Sequence, residues 1–336
     1  MMGASAQSPA PHIPVMLAEV VEGIAPRGGG LYVDGTFGAG GHTKALLEAG
    51  YCKVIAIDRD PEVESLAGVL RGKYGSRLTF LSGRFSDMET LLADAGIEKV
   101  EGILLDIGVS SMQIDTPDRG FSFMHDGPLD MRMGSSGASA ADIVNQMAED
   151  ELAGIIFKYG GERKSRAIAR AIVLARTLAP ITRTGQLSAI VRQAVRQYND
   201  TINPATRTFQ ALRIWVNDEL AELETALEAA ERLLIPGGRL VVITFHSGED
   251  QIVKHFMNER SGKDEGVSRH LPMNLQAKPE PTFTLITRKA IAPTESEIAA
   301  NPRARSAKLR VAERTSAPAW QARQAHSVSP LHGGIA

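Results

Sequence analysis

A chain of 336 residues with 43% hydrophobic and 23% charged residues can bury one large core or two unequal ones, which sets aside disordered, collagen-like and fibrous classes. Its single cysteine, Cys52, excludes an internal disulfide and a Cys-based zinc centre, the usage expected of a reducing compartment. Lys and Arg number 37 against 39 Asp and Glu, and this net charge of −2 argues, as an average, against an obligate nucleic-acid binder.

The N-terminal stretch has neither a basic n-region nor an apolar h-region, and the longest aliphatic runs of the chain are a few residues, such as Leu240–Ile243, so no export signal or membrane span is expected and the cytoplasm is the expected location. Short aliphatic or β-branched runs predict strands at Leu31–Val33, Lys53–Ile57, Leu78–Leu81 and Gly102–Leu105. Helical spacing fills the gaps at Thr43–Ala49, Glu62–Tyr74 and Met88–Ala95. This βαβ alternation predicts right-handed crossovers and a doubly wound, mostly parallel α/β sheet.

The rhythm stops near Ser110, and helical spacing takes over until Leu234. Within Ser165–Leu178, the positions Ile168, Ala171, Ile172, Ala175 and Leu178 form an apolar stripe, with Arg163, Arg166 and Arg170 on another face. Gln186–Tyr198 repeats the pattern, with Arg192 and Arg196 outward. A long acidic helix is predicted over Arg213–Leu234, ended by Pro236, Gly237 and Gly238, before further strands at Arg239–Phe245 and Thr282–Arg288. The expected organisation is a sheet domain of residues 1–112 and 216–336 interrupted by a helical insert of residues 113–215.

Charge is segregated along this layout. From Lys158 to Arg213 there are eleven Lys and Arg against two acids, about +9, and a second basic stretch spans Arg303–Arg310 with Arg305 and Lys308 inside it. Clustered positive charge points to a polyanion, and solvated helix faces are the alternative.

In an open parallel sheet the ligand crevice lies beyond the carboxyl ends of the strands. The first strand runs into a glycine-rich turn, Asp34–His42, but Thr43 stands where a dinucleotide fingerprint needs its third glycine, and no Lys-Ser/Thr of a P-loop follows. The second strand ends at Asp58, a carboxylate suited to a ribose diol. A nucleoside without a diphosphate fits both features, as S-adenosylmethionine would; a tight turn with Asp58 as a helix cap is the bland alternative. Asp106, ending the fourth strand, either orients the cofactor or an acceptor amine or caps the turn after it. Phe121, Phe123 and Phe209 are candidates for stacking on a base or for core packing, and the polar loop with Asp126, Asp130 and Arg132 is expected to border the acceptor. His246, Glu249 and Asp250 are not spaced as metal ligands.

These segments resemble the bacterial S-adenosylmethionine-dependent cytosine N4-methyltransferases of small-subunit ribosomal RNA. The resemblance runs through His12–Leu17, Val33–His42, Ala56–Pro61, Ile103–Ser111, Asp118–Phe123, Asp126–Met133, Arg207–Ile214, Pro236–Leu240, Phe245–Asp250 and Asn301–Arg310. It implies a Rossmann-like class I methyltransferase sheet, a methyl transfer to N4 of a cytosine in the decoding region of 16S rRNA, and cofactor contacts at Gly40, Gly41, His42, Asp58, Phe85, Asp106 and Gln113. DNA amino-methyltransferases typically carry an Asn/Asp/Ser-Pro-Pro-aromatic motif where this chain has Asp106–Val109. The chain departs from the family pattern at Gly161, where an acid is usual, and at Gly248 and Gln251, where Leu and Arg are usual. The two alternatives from other classes are a noncatalytic ribosome-assembly factor on the same scaffold and a nicotinamide-dependent enzyme.

Overall fold

The computed structural model describes residues 13–195, 203–263 and 279–321; His12, Arg196 and Tyr198 lie outside them. The first part of the chain forms α1 (Leu17–Ile24), β1 (Leu31–Asp34), α2 (Gly41–Ala49), β2 (Lys53–Asp58), α3 (Glu64–Tyr74), β3 (Leu78–Ser82), α4 (Met88–Asp94) and β4 (Val100–Asp106). Helices follow: α5 (Ser111–Asp115), α6 (Ala140–Gln146), α7 (Glu149–Gly160), α8 (Ser165–Arg176), α9 (Thr184–Ala194), α10 (Ala205–Asn217) and α11 (Glu219–Leu233). The chain then returns to the sheet with β5 (Leu234–Thr244), α12 (Ser247–Arg260), β6 (Phe283–Leu285), α13 (Glu295–Ala300) and β7 (Lys308–Arg314).

The strands make one α/β sheet in the order β3-β2-β1-β4-β5-β7-β6. It is parallel from β3 to β5 and antiparallel at β7 and β6. Side chains alternate along each central strand because successive Cβ atoms point to opposite faces. Ile55, Ile57, Ile103, Leu105, Leu240 and Val242 face a core with α4, α11 and α12. Val54, Ala56, Leu104, Val241 and Ile243 face the opposite core with α1, α2 and α3. Both faces are covered, which explains why these strands read as unbroken apolar runs.

A third core, separate from the sheet, joins Leu129 and Met131 to residues of α6 through α10. The stripe predicted on α8 is real at Ile168 and Ile172, both fully buried, but Leu178 lies beyond the helix and is 90% exposed. Phe209 is buried in this core and fills space between helices rather than offering a free face to a base, with Phe123 edge-on at 5.1 Å; Phe123 and Phe121 are half-buried against its margin.

Three expectations need correction. The helix predicted over Arg213–Leu234 is two helices, because Asp218 adopts a left-handed conformation (φ 55°) that ends α10 and starts α11. The Asn217 side chain fixes that break by accepting from Met133 N and donating to Met131 O. Pro236, Gly237 and Gly238 do not end the helix: Leu234 already pairs with Val100, and the three residues bulge out before Arg239 pairs with Gly102. The basic C-terminal stretch runs into β7, a strand the sequence reading missed, wedged between β5 and β6.

Candidate active site

The loop after β1 is held by the strands on either side of it. Gly35 N donates to Leu104 O at 2.9 Å and Phe37 N to Ile57 O at 3.0 Å, so the chain is pinned where strand order reverses. Below it the buried Asp34 accepts from Thr43 Oγ1 at 2.6 Å, and Thr36 Oγ1 accepts from Asp106 N at 2.7 Å, tying the ends of β1 and β4 together. Above this frame opens a cavity of about 320 Å³, within the range of small-ligand sites.

Gly41, His42, Asp58, Phe85, Asp106 and Gln113 all line the cavity; Gly40 does not. Gly40 caps α2 at φ 75°, where a Cβ would stand 2.5 Å from Leu70 and 2.8 Å from Phe37, and a Cβ on Gly41 would stand 2.2 Å from Pro14. Both glycines are therefore required by the protein's own packing. The open approach belongs to Gly38, at φ 52° with nothing nearer than 3.9 Å to its missing side chain.

Asp58 accepts from Gly38 N at 2.8 Å through one oxygen and from Asp60 N at 2.9 Å through the other. Burial pushes its carboxyl up, against those two bonds. Gln113 is buried, with both ends of its amide engaged: Oε1 accepts from Ser110 N, and Nε2 donates to Asp60 at 2.7 Å. It completes the capping box of α5 and fixes that helix over the cavity. Arg119 reaches the same Asp60 at 2.8 Å and donates to Arg132 O and Met133 O, which docks the helical part on the sheet part.

Asp106 stands at the end of β4 with its Oδ1 buried and without any hydrogen-bond partner among the described residues. Burial pushes its carboxyl up to about 6; His42 opposes the rise and the nearby Asp34 and Glu249 add to it. A carboxylate so placed can accept a hydrogen bond, and then a proton, from a ligand.

No cofactor contact was expected at several other lining residues, among them Pro14 and Val15, Phe245 just after β5, Arg213 of α10, and Asn301 and Arg303. Asn301 and Arg303 close the rim by bonding Ile13 O and Asp115. The signal available was the presence of these residues in the quoted segments; nothing local marked which of them faced the cavity. Asp126, Asp130 and Arg132 do not line it. Asp126 pairs with Arg183, and Asp130 with Arg132 at 2.7 Å, because the loop lies over the helical core with Leu129 and Met131 pointing inward.

The predicted basic surface divides. Arg163 and Arg166 are exposed and have no carboxylate partner among the described residues; Arg170 is exposed 3.5 Å from Glu149, and Arg192 donates to Ser188 O one turn back. Arg176 instead caps α6 by donating to Val144 O and Met147 O, both at 2.8 Å. Lys308 and Arg310 are both tied to Asp250, at 2.9 and 2.8 Å, and hold the carboxyl of Asp250 below its usual range despite partial burial; Arg305 is exposed. Gly161, one departure from the family pattern, ends α7 in a left-handed conformation that an acid would adopt with strain.

Glu219, His246 and Glu249 bring one ligand atom each within 4.8 Å of one another. Arg213 takes both oxygens of Glu219 at 2.8 Å, and His246 Nδ1 accepts from Gly248 N and Glu249 N, which leaves the proton on Nε2, 2.9 Å from Glu249 Oε1. Arg213 thus occupies both oxygens of Glu219, while His246 Nε2 and Glu249 Oε1 face each other buried and without a hydrogen bond among the described residues.

A sequence profile described as the MraW methylase family matches residues 9–315. The chain belongs to that family. A protein of Paramagnetospirillum magneticum named ribosomal RNA small subunit methyltransferase H is 58% identical over 314 residues, covering 94% of this chain and 99% of its own. One of the same name from Rhodospirillum centenum is 60% identical over 312 residues, covering 93% and 94%. Among solved structures, a putative methyltransferase from Streptococcus mutans in complex with SAH aligns at 11% identity and a TM-score of 0.43, over 90% of this chain and 99% of that one. The chain is accordingly a methylase by family. Among the described residues no helix is long and apolar enough to cross a membrane.

Proposed function

We propose that this protein methylates the exocyclic N4 of a cytosine in the decoding region of 16S rRNA, within the small ribosomal subunit and in the cytoplasm. In this reading residues 113–215 recognise RNA and residues 1–112 and 216–336 carry the chemistry. The observation that carries it is the partnerless, buried Oδ1 of Asp106 at the edge of the cavity.

S-adenosylmethionine is the donor in this reading: Asp58 holds its ribose hydroxyls, Phe85 lies against the adenine, and Gly38, Gly41 and His42 border the methionine end. Bound there, the donor supplies an electrophilic sulfonium methyl. Asp106 accepts a hydrogen bond from the N4 amine, draws its lone pair out of conjugation with the ring and holds the nitrogen in line; it takes the proton once the N–C bond has formed. Arg163, Arg166, Arg170, Arg192 and Arg305 contribute phosphate contacts, which position RNA without reading its sequence.

The names of the relatives support an rRNA of the small subunit as substrate. The test is nucleoside analysis of small-subunit RNA from cells with and without this chain, together with transfer of labelled methyl to subunits in vitro. N4-methylcytidine that appears only with the chain is the expected result. Tight subunit binding without transfer would instead favour an assembly factor.

A further inference from the structure

We propose that Arg213 is a specificity-determining contact that donates to the N3 and O2 edge of the acceptor base. This deepens the cytosine N4 reading and rests on it. Asp106 ends β4 and pairs with Ile243 of the neighbouring β5, and Phe245 is the residue that follows this strand. The Phe245 ring lies over the turn at Gly108, 3.4 Å from where a Cβ would stand. Arg213 reaches the same cavity from α10. A carboxylate, an aromatic ring and a guanidinium thus line one cavity, and Glu249 joins the last two, accepting from Phe245 N and lying 4.0 Å from Arg213.

The guanidinium is unusually well fixed. Nε and Nη2 each bond one oxygen of Glu219 at 2.8 Å, with Glu249 Oε1 4.0 Å from Nη2, and the side chain is 17% exposed. Glu249 is held in turn, accepting from Phe245 N and His246 N. Nη1 has no partner among the described residues and is not fully buried, so two N–H donors remain for a ligand. A group with two hydrogen bonds to one carboxylate at its back, a second carboxylate 4.0 Å away and one free edge is preorganised to donate, at little cost in side-chain entropy.

The surroundings decide what it donates to. Glu219, Glu249 and Asp106 already outnumber the single positive charge, so a phosphate brought to Nη1 would meet net negative potential, whereas a neutral base offers acceptor atoms without charge. An amine facing Asp106 with an adjacent ring nitrogen and carbonyl facing Arg213 is the Watson–Crick edge of cytosine. Uracil presents N3–H toward Arg213 and has no amine; adenine lacks the carbonyl.

The experiment measures kcat/KM on small subunits carrying either cytosine or 3-deazacytosine at the target position, with the unaltered enzyme and with Arg213→Lys, and the donor Kd alongside. Removing N3 should cost the unaltered enzyme about 10- to 100-fold, the range of one charge-assisted hydrogen bond. Arg213→Lys should lose about as much on cytosine, keep its donor Kd, and lose little more on the analogue. Losses that multiply across the two changes, or an analogue methylated as well as cytosine by the unaltered enzyme, would overturn the contact. A methylated product other than N4-methylcytidine from the unaltered enzyme would overturn the underlying reading, and the contact with it.

Discussion

His42 and Asp106 face each other across the cavity floor, with imidazole Nδ1 3.5 Å from carboxylate Oδ2. The other ring nitrogen, Nε2, lies 2.9 Å from Val15 O, and since a carbonyl only accepts, Nε2 carries the hydrogen. Nδ1 is thereby turned to one oxygen of Asp106, and the other oxygen, Oδ1, is left for a ligand. One histidine links the N-terminal segment, the glycine turn and the carboxylate proposed to take the proton.

That arrangement makes the pH profile informative. Only the carboxylate form of Asp106 can take the amine proton, and burial pushes its pKa up to about 6, so kcat/KM should fall about tenfold per pH unit below 6 and level off above. Asp106→Asn should lower kcat by about 10²- to 10⁴-fold and abolish that limb. The same limb persisting in the variant would assign it to another group.

Stability should move the opposite way. The folded-state pKa of Asp106 lies above the ordinary 3.8, so its contribution is fully present below 3.8 and is lost as pH rises through about 6. Asp106→Asn removes this penalty and should be more stable than the parent at pH 8, by at most ~3 kcal/mol, and no more stable at pH 4. Denaturant titrations at the two pH values check this; equal differences at both would contradict the burial argument.

Asp58→Ala should weaken binding of S-adenosylmethionine by ~1.5–3 kcal/mol, read by calorimetry, since it removes a charged acceptor and releases Gly38 N and Asp60 N. Donor affinity unchanged by the substitution would remove Asp58 from the ribose.

Gly41→Ala tests the packing account of the glycine turn. A Cβ 2.2 Å from Pro14 must push the N-terminal segment off α2 and strain the His42 bond to Val15 O, at a cost of ~1–3 kcal/mol. Donor affinity should fall with stability; a fully stable variant with normal affinity would show that the segment yields freely.

Binding of RNA should separate the two basic regions. Arg163→Ala with Arg166→Ala should weaken binding and reduce the slope of log K against log salt by ~1–2, since each phosphate contact contributes ~0.7–0.9. Lys308→Ala with Arg310→Ala should chiefly destabilise the fold, because it strips Asp250 of its two partners. Filter binding across a salt series distinguishes these outcomes, and an unaltered slope in the first pair would return those arginines to a solvated face.

The sequence by itself determined the sheet and its crevice. Strands buried on both faces are short apolar runs, and the residues that end them, Asp34, Asp58 and Asp106, fall at the carboxyl edge wherever the parallel crossovers place them. Local pattern could not show which charges were already neutralised. Lys308 and Arg310 read as a polyanion surface until β7 aligned them with Asp250, 58 and 60 residues away. Arg213 read as one more cation of a basic block until the break at Asp218 swung Glu219 against it. Gly40 read as room for a ligand until Leu70 filled the space. Apolar periodicity is a property of neighbours in the chain. The partner of a buried charge and the occupant of a glycine's empty side are set by segments that meet only when the cores close, and only the tertiary structure decided them.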